Sequence, residues 1–168
     1  MRARTVVISG WLVVSLGCAS SQSAGDAAPV AESGGPCTAS VPGADVSGWR
    51  QVAGRGFTVC LPPEWRADGR GWRGESGRVE WAEIIEGQRR PYVASGSGMP
   101  SAPVIADRRE FEETIGGEPA RLWQSRFDEG YRVGVAWPRI RRAFTGEARD
   151  AGTVALIFTI YRTVRFSS

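Results

Sequence analysis

Glu110-Phe111-Glu112-Glu113-Thr114-Ile115-Gly116-Gly117-Glu118-Pro119-Ala120-Arg121-Leu122-Trp123-Gln124-Ser125-Arg126-Phe127 is the stretch that decides the fold. Glu110 to Ile115 and Ala120 to Phe127 read as strands flanking Gly116-Gly117. Glycine accepts the positive φ that a tight reversal needs, so the three parts together predict a β-hairpin. Asp128-Glu129-Gly130 turns the chain again into Tyr131 to Trp137, Pro138 closes that strand, and Arg139 to Thr145 gives another. The expected result is an antiparallel meander.

The same period of two runs upstream. Trp49 to Val52 leads through Gly54 and Gly56 into Phe57-Thr58-Val59-Cys60-Leu61, where Phe57, Val59 and Leu61 share one face. Pro62-Pro63 ends this strand because proline cannot donate to a ladder. Glu64-Trp65-Arg66 reads as a turn or a single helical turn, residues 67 to 77 as a loop rich in Gly and Arg, and Val79 to Ile85 as the next strand. Residues 87 to 104 are full of Gly, Pro and Ser and read as a long loop of the kind that carries binding function.

One segment departs from this alternation. Val154, Ile157, Phe158 and Tyr161 recur at helical spacing, Leu156 and Ile160 widen the apolar face, and Asp150 is placed to cap the N-terminus. β-Branched residues in the segment leave a strand as the alternative; spacing and cap favour a helix over Thr153 to Arg162, followed by an edge segment at Val164 to Phe166. The predicted fold class is therefore α+β: a twisted antiparallel sheet of about six strands with a C-terminal helix on one face.

The N-terminus sets the expected location. Arg2 and Arg4 precede an apolar run from Val6 to Leu16, too short for the roughly 20 residues of a spanning helix, and Ser15-Leu16-Gly17-Cys18 follows. This resembles a bacterial lipoprotein signal, with Ser15 standing where such signals more often carry Leu. The resemblance implies removal of residues 1–17 and acylation of Cys18, and hence a membrane partner reached through lipid. Ser20, rather than Asp, two places on is compatible with outer-membrane sorting, facing the periplasm, in a diderm host. Residues 18–36 are Ser, Ala, Gly and Pro with few apolar side chains and read as a flexible tether reaching roughly 20–25 Å. A single domain is expected over residues 37–168. Cys37 and Cys60 remain as an even pair in an oxidising compartment and are expected to form a disulfide.

Composition restricts the chemistry. Of 21 basic residues, all Arg, two fall within the signal, which leaves 19 against 18 Asp and Glu. This near balance argues against nucleic acid as a partner. With no His there is no Ser-His-Asp triad, no Cys-His pair and no imidazole metal ligand; with no Lys there is no Schiff base and no Walker lysine. An enzyme would have to use paired carboxylates. Glu80, Glu83 and Glu86, and Glu110, Glu112 and Glu113, are close in sequence but read as solvated strand faces, so no catalytic residue is assigned. No spaced Asp loop suggests Ca²⁺, and neither a metal nor a cofactor is expected.

Gly56-Phe57-Thr58-Val59-Cys60-Leu61-Pro62-Pro63-Glu64-Trp65-Arg66, the Ile115 to Arg121 hairpin and the last helix running into Thr163-Val164-Arg165-Phe166 together resemble PsbP-like α/β/α sandwich domains. The resemblance spans roughly residues 49 to 166 and implies the fold and an envelope location; it carries no catalytic residues. The chain departs from the pattern at 87 to 104, where relatives have a helix.

Gly69-Arg70-Gly71-Trp72-Arg73-Gly74 spells GxGxxG, but it lacks the preceding buried strand and following helix of a dinucleotide site. Its interest lies in Trp72 between Arg70 and Arg73, an aromatic flanked by guanidinium groups in a polar loop. That trio is the expected contact for an envelope protein or polysaccharide partner. The functional expectation is a lipid-anchored envelope protein with a binding or accessory role, acting through the loops at 67 to 77 and 87 to 104. The alternative is a carboxylate-dependent glycan hydrolase.

Overall fold

The computed structural model describes residues 34–83 and 106–167. The signal, Cys18, most of the tether, the 87–104 loop and the last two residues of the strand expected over Val79 to Ile85 lie outside the described residues. The α+β class holds. Among the described residues ten strands, rather than about six, form two antiparallel sheets. The smaller contains β1 (Arg50–Gly54), β2 (Phe57–Leu61) and β10 (Arg165–Phe166), in the order β1-β2-β10. The larger contains β3 (Arg66–Asp68), β4 (Gly71–Arg73), β5 (Gly77–Glu83), β6 (Ala106–Ile115), β7 (Glu118–Phe127), β8 (Gly130–Trp137) and β9 (Arg142–Ala148), in the order β3-β4-β5-β9-β8-β7-β6.

β6 to β9 make the expected meander, but β9 then pairs with β5 over seven residues, so the sheet closes on an element far upstream in sequence. A short 3-10 turn, Pro138–Ile140, interrupts the strand expected from Arg139. Pro138 opens it and Arg141, at φ 56°, ends it in the left-handed region. The Gly116-Gly117 reversal has φ of 63° and 83°, as the hairpin requires.

Strand alternation decides which face is buried. Trp81, Phe144, Val135, Leu122 and Phe111 form one continuous row across β5, β9, β8, β7 and β6. Against this face lie α1 (Ala151–Arg162) and the smaller sheet, side by side. Phe57 of β2 meets Phe144 edge-on at 5.1 Å, and Phe166 of β10 meets Trp137 at 5.1 Å. Asp150 caps α1 by accepting the Thr153 amide at 2.8 Å, the local bond that makes the helix start there. Thr163, just past its end, accepts the Cys60 amide at 2.9 Å and donates to the Ile160 carbonyl at 2.6 Å. Helix and β2 are thereby tied together inside the core.

Tyr161 sits at the centre of this packing with no exposed surface. Its ring fits because position 146 has no side chain: a Cβ there would lie 2.9 Å from the Tyr161 oxygen. The hydroxyl has no hydrogen-bond partner among the described residues. Burial raises its pKa well above 10, so the folded state keeps a proton that the unfolded chain loses near pH 10. Stability from this source is therefore full at neutral pH and declines as pH rises past the unfolded value. Tyr161→Phe removes both the orphan hydroxyl and the titration. Urea denaturation should give an unfolding free energy equal to the parent's or about 1 kcal/mol higher at pH 7, with a shallower decline above pH 10. A loss of stability at pH 7 would mean that the hydroxyl is satisfied.

Candidate functional site

The segment expected to be an Arg-rich loop at 67 to 77 is a hairpin, β3 to β4, extended by β5. Each glycine of the GxGxxG string has a local reason. Gly69 turns the chain at φ 61°; a Cβ on Gly71 would lie 1.8 Å from the Val79 carbonyl oxygen; and a Cβ on Gly74 would run into the Trp65 indole at 2.5 Å. The element that follows the string is β5 and not a helix, so the glycines serve strand packing and not a phosphate cradle.

The expected trio is split by strand alternation. Trp72 pairs with Val79 and points into the core, 1 % exposed and stacked 6.5 Å from Phe144. The expectation of an exposed Trp72 anchor is corrected: in a β-strand, neighbours point to opposite faces, so an indole between two arginines is buried when the arginines are exposed. Arg70 occupies the β3–β4 turn. Arg73 projects from the face away from α1 and donates to Asp68 at 2.7 Å. Cys37 and Cys60 are bridged, with their Cα atoms 5.5 Å apart. The chain is already docked just before Cys37, where the Gly35 carbonyl accepts the Gln51 amide at 2.8 Å.

On the face away from α1 several of the described carboxylates are paired with arginines. Asp68 lies against Arg73 and, at 3.2 Å, Arg78; Arg78 also bonds Glu80. Arg108 holds Glu110 at 2.5 Å, and Arg121 lies 3.6 Å from Glu112. On the helix side Arg162 grips Glu113 through two bonds of 2.9 and 2.6 Å. The Arg73 bond holds the Asp68 carboxyl below its usual range, and the Arg162 bond does the same for Glu113. Asp45 and Asp150 are also held low, by the backbone amides of Ser47 and Thr153 respectively.

At one end of the large sheet the turns after β4 and β7 rise on either side of the point where β9 leaves for α1. Between them lies an open saddle of about 580 Å³. Its floor is bare because Gly77, Ala148 and Gly130 meet there. A Cβ on Gly130, at φ 139°, would lie 2.4 Å from the Ala148 carbonyl oxygen. Arg73, Glu75 and Arg78 stand on one flank, Phe127, Asp128 and Glu129 on the other, and Arg149 enters from the floor strand. Arg132 lies over the Phe127 ring at 5.0 Å. The saddle thus presents both signs of charge around a small-residue floor, an arrangement suited to a polar chain bearing carboxylate and ammonium groups. Among the described residues no group of three or more Cys, Asp and Glu is placed to hold a metal ion.

Of the expected contact trio only Arg73 reaches the saddle, together with the end of the 67 to 77 segment, Gly74 to Gly77. Asp128, Glu129 and Arg149 lie in two turns some twenty residues apart and meet across β9. The β8–β9 pairing brings these three together, and the β5–β9 pairing adds Arg73, Glu75 and Arg78 on the other flank. No known protein family's profile and no curated protein matches the chain.

Proposed function

We propose that this is a lipid-anchored protein of the cell envelope that works by binding, holding the saddle at the end of a tether attached through Cys18. The observation that supports this location is the Cys37–Cys60 bridge, a kind of link that persists in oxidising compartments, downstream of the lipoprotein-like signal. The α+β architecture supports the likeness to PsbP-like domains as part of the same proposal. Among the described residues no helix is long and apolar enough to cross a membrane, so membrane attachment in this reading rests on the acyl group.

The mixed charges of the saddle support binding, and the four carboxyls whose ionisation the fold perturbs lend glycan hydrolysis no support. A general acid at neutral pH needs a raised pKa, whereas Asp45, Asp68, Glu113 and Asp150 are all held low by hydrogen-bond donors. The partner class that suits the saddle is an envelope peptide or protein segment carrying both charges, with acid groups at Arg149 and basic groups at Glu75, Asp128 and Glu129.

The test is metabolic labelling with a palmitate analogue, followed by fractionation of the native host. The parent chain should be labelled and found with membranes; Cys18→Ser should be unlabelled. A photocrosslinker at position 129 should capture an envelope component, less efficiently in Arg149→Glu. An unlabelled parent beginning at Met1 in the cytoplasm would overturn the location, and capture indifferent to Arg149→Glu would overturn the saddle.

A further inference from the structure

The helix-side face of the large sheet breaks its own rule at one corner. Along the row Val79, Gly146, Val133, Gln124, Arg109, apolar and small residues give way to polar ones at β7 and β6. The next row makes the same change, from Ala148 and Tyr131 to Arg126. On this face Ala120 and Leu122 of β7 are buried, and Gln124 and Arg126 continue the same side of the strand. Gln124 is half-buried and Arg109 and Arg126 are exposed, so at this corner the helix-side face opens to solvent and carries its guanidinium groups beside the edge of α1.

The corner is also distorted. β6 slips register between Ala106 and Arg109, and Asp107 sits at φ 53°. Bulges of this kind re-aim side chains. The consequence is a groove of about 400 Å³ between the end of β6–β7 and the first half of α1. One wall carries Arg109, Arg126 and Gln124; the other is Val154, Ala155 and Phe158, with Phe158 braced edge-on against Phe111 at 5.3 Å. Asp107 and Tyr131 also line it. Neither Arg109 nor Arg126 has an ion-pair partner among the described residues, whereas nearby Arg108, Arg121 and Arg162 are each matched to a glutamate.

We propose that this groove binds a small apolar carboxylate, a single-chain fatty acid, with the carboxylate on Arg109 and Arg126 and the chain along Val154, Ala155 and Phe158. Two guanidinium groups match a carboxylate by forked hydrogen bonds, and the helix wall supplies apolar contact. Asp107 leaves the corner with one net positive charge, which suits a singly charged head. This site adjoins the saddle, since Tyr131 lines both, but it uses none of the saddle's charged residues and does not depend on that reading.

The test uses the full chain with its disulfide intact, titrated by calorimetry in 0.15 M salt with decanoate, decanol and acetate below micelle-forming concentrations. Decanoate should bind roughly 10-fold or more tightly than either decanol or acetate, because both arms of the site are needed. Arg109→Gln with Arg126→Gln should weaken decanoate roughly 10- to 100-fold and leave decanol unchanged. Ala155→Glu, at an exposed helix position, should weaken decanoate as well by placing a like charge at the groove. Equal binding of decanol would reduce the site to an apolar patch, equal binding of acetate to an anion patch, and either overturns the proposal. So does an absence of decanoate binding, or full affinity in the double variant.

Discussion

Trp72→Ala should lower the free energy of unfolding by about 3–5 kcal/mol, the range for removing a buried large aromatic side chain, while Arg73→Ala leaves the denaturation midpoint near the parent's. The two residues are adjacent, so the contrast isolates the effect of strand alternation. Trp72 lies beneath β4 with 1 % of its surface exposed, pairs in register with Val79 and stacks on Phe144. Phe144 in turn meets Phe57, Trp137 and Tyr161. Deleting the indole opens a cavity beside the ring that joins the two sheets and the helix, and a close-packed core relaxes only partly around such a void. Trp72→Phe should recover part of the loss, since it keeps an aromatic ring and removes an indole N–H that has no hydrogen-bond partner among the described residues. Equilibrium denaturation in urea checks all three. A Trp72→Ala midpoint within error of the parent would mean that the indole lies on the surface after all.

What the sequence made legible follows from the range of the interactions involved. The Gly116-Gly117 hairpin, the Asp150 cap and the period-two strands are local, and each could be read from a few neighbouring residues. The β3–β4 hairpin is hidden in the sequence because strands of three residues are too short for alternation to stand out among glycines. Gly71 looked like a loop residue, yet its missing side chain admits the Val79 carbonyl of the neighbouring strand. The saddle was illegible for a different reason: Glu75, Asp128 and Arg149 meet only because β9 inserts between β5 and β8, and no short-range pattern encodes that pairing. The groove left a trace, since Gln124 and Arg126 continue the inward alternation of Ala120 and Leu122. Its meaning needed the position at which α1 crosses the sheet.

Replacing both bridged cysteines, Cys37→Ala with Cys60→Ala, should cost about 3 kcal/mol, the chain-entropy value for freeing a loop of about 24 residues. The loss belongs mostly to the unfolded state, which gains conformations once the link is cut, so the urea m-value should rise along with the fall in midpoint. In the folded state the effect should be concentrated on the segment before β1. That segment is irregular, buries Val41 and Val46, and is otherwise held by a few backbone bonds such as Cys37 to the Trp49 carbonyl at 2.8 Å. Cys60 is anchored independently through Thr163 and β2, so amides of β2 and α1 should stay protected from hydrogen exchange while those of residues 37–49 exchange faster. Reducing the parent with a thiol should reproduce both changes. If the variant kept its stability to within about 1 kcal/mol, the bridge would be redundant with the backbone bonds around it, and the link between fold and oxidising compartment would lose its physical basis.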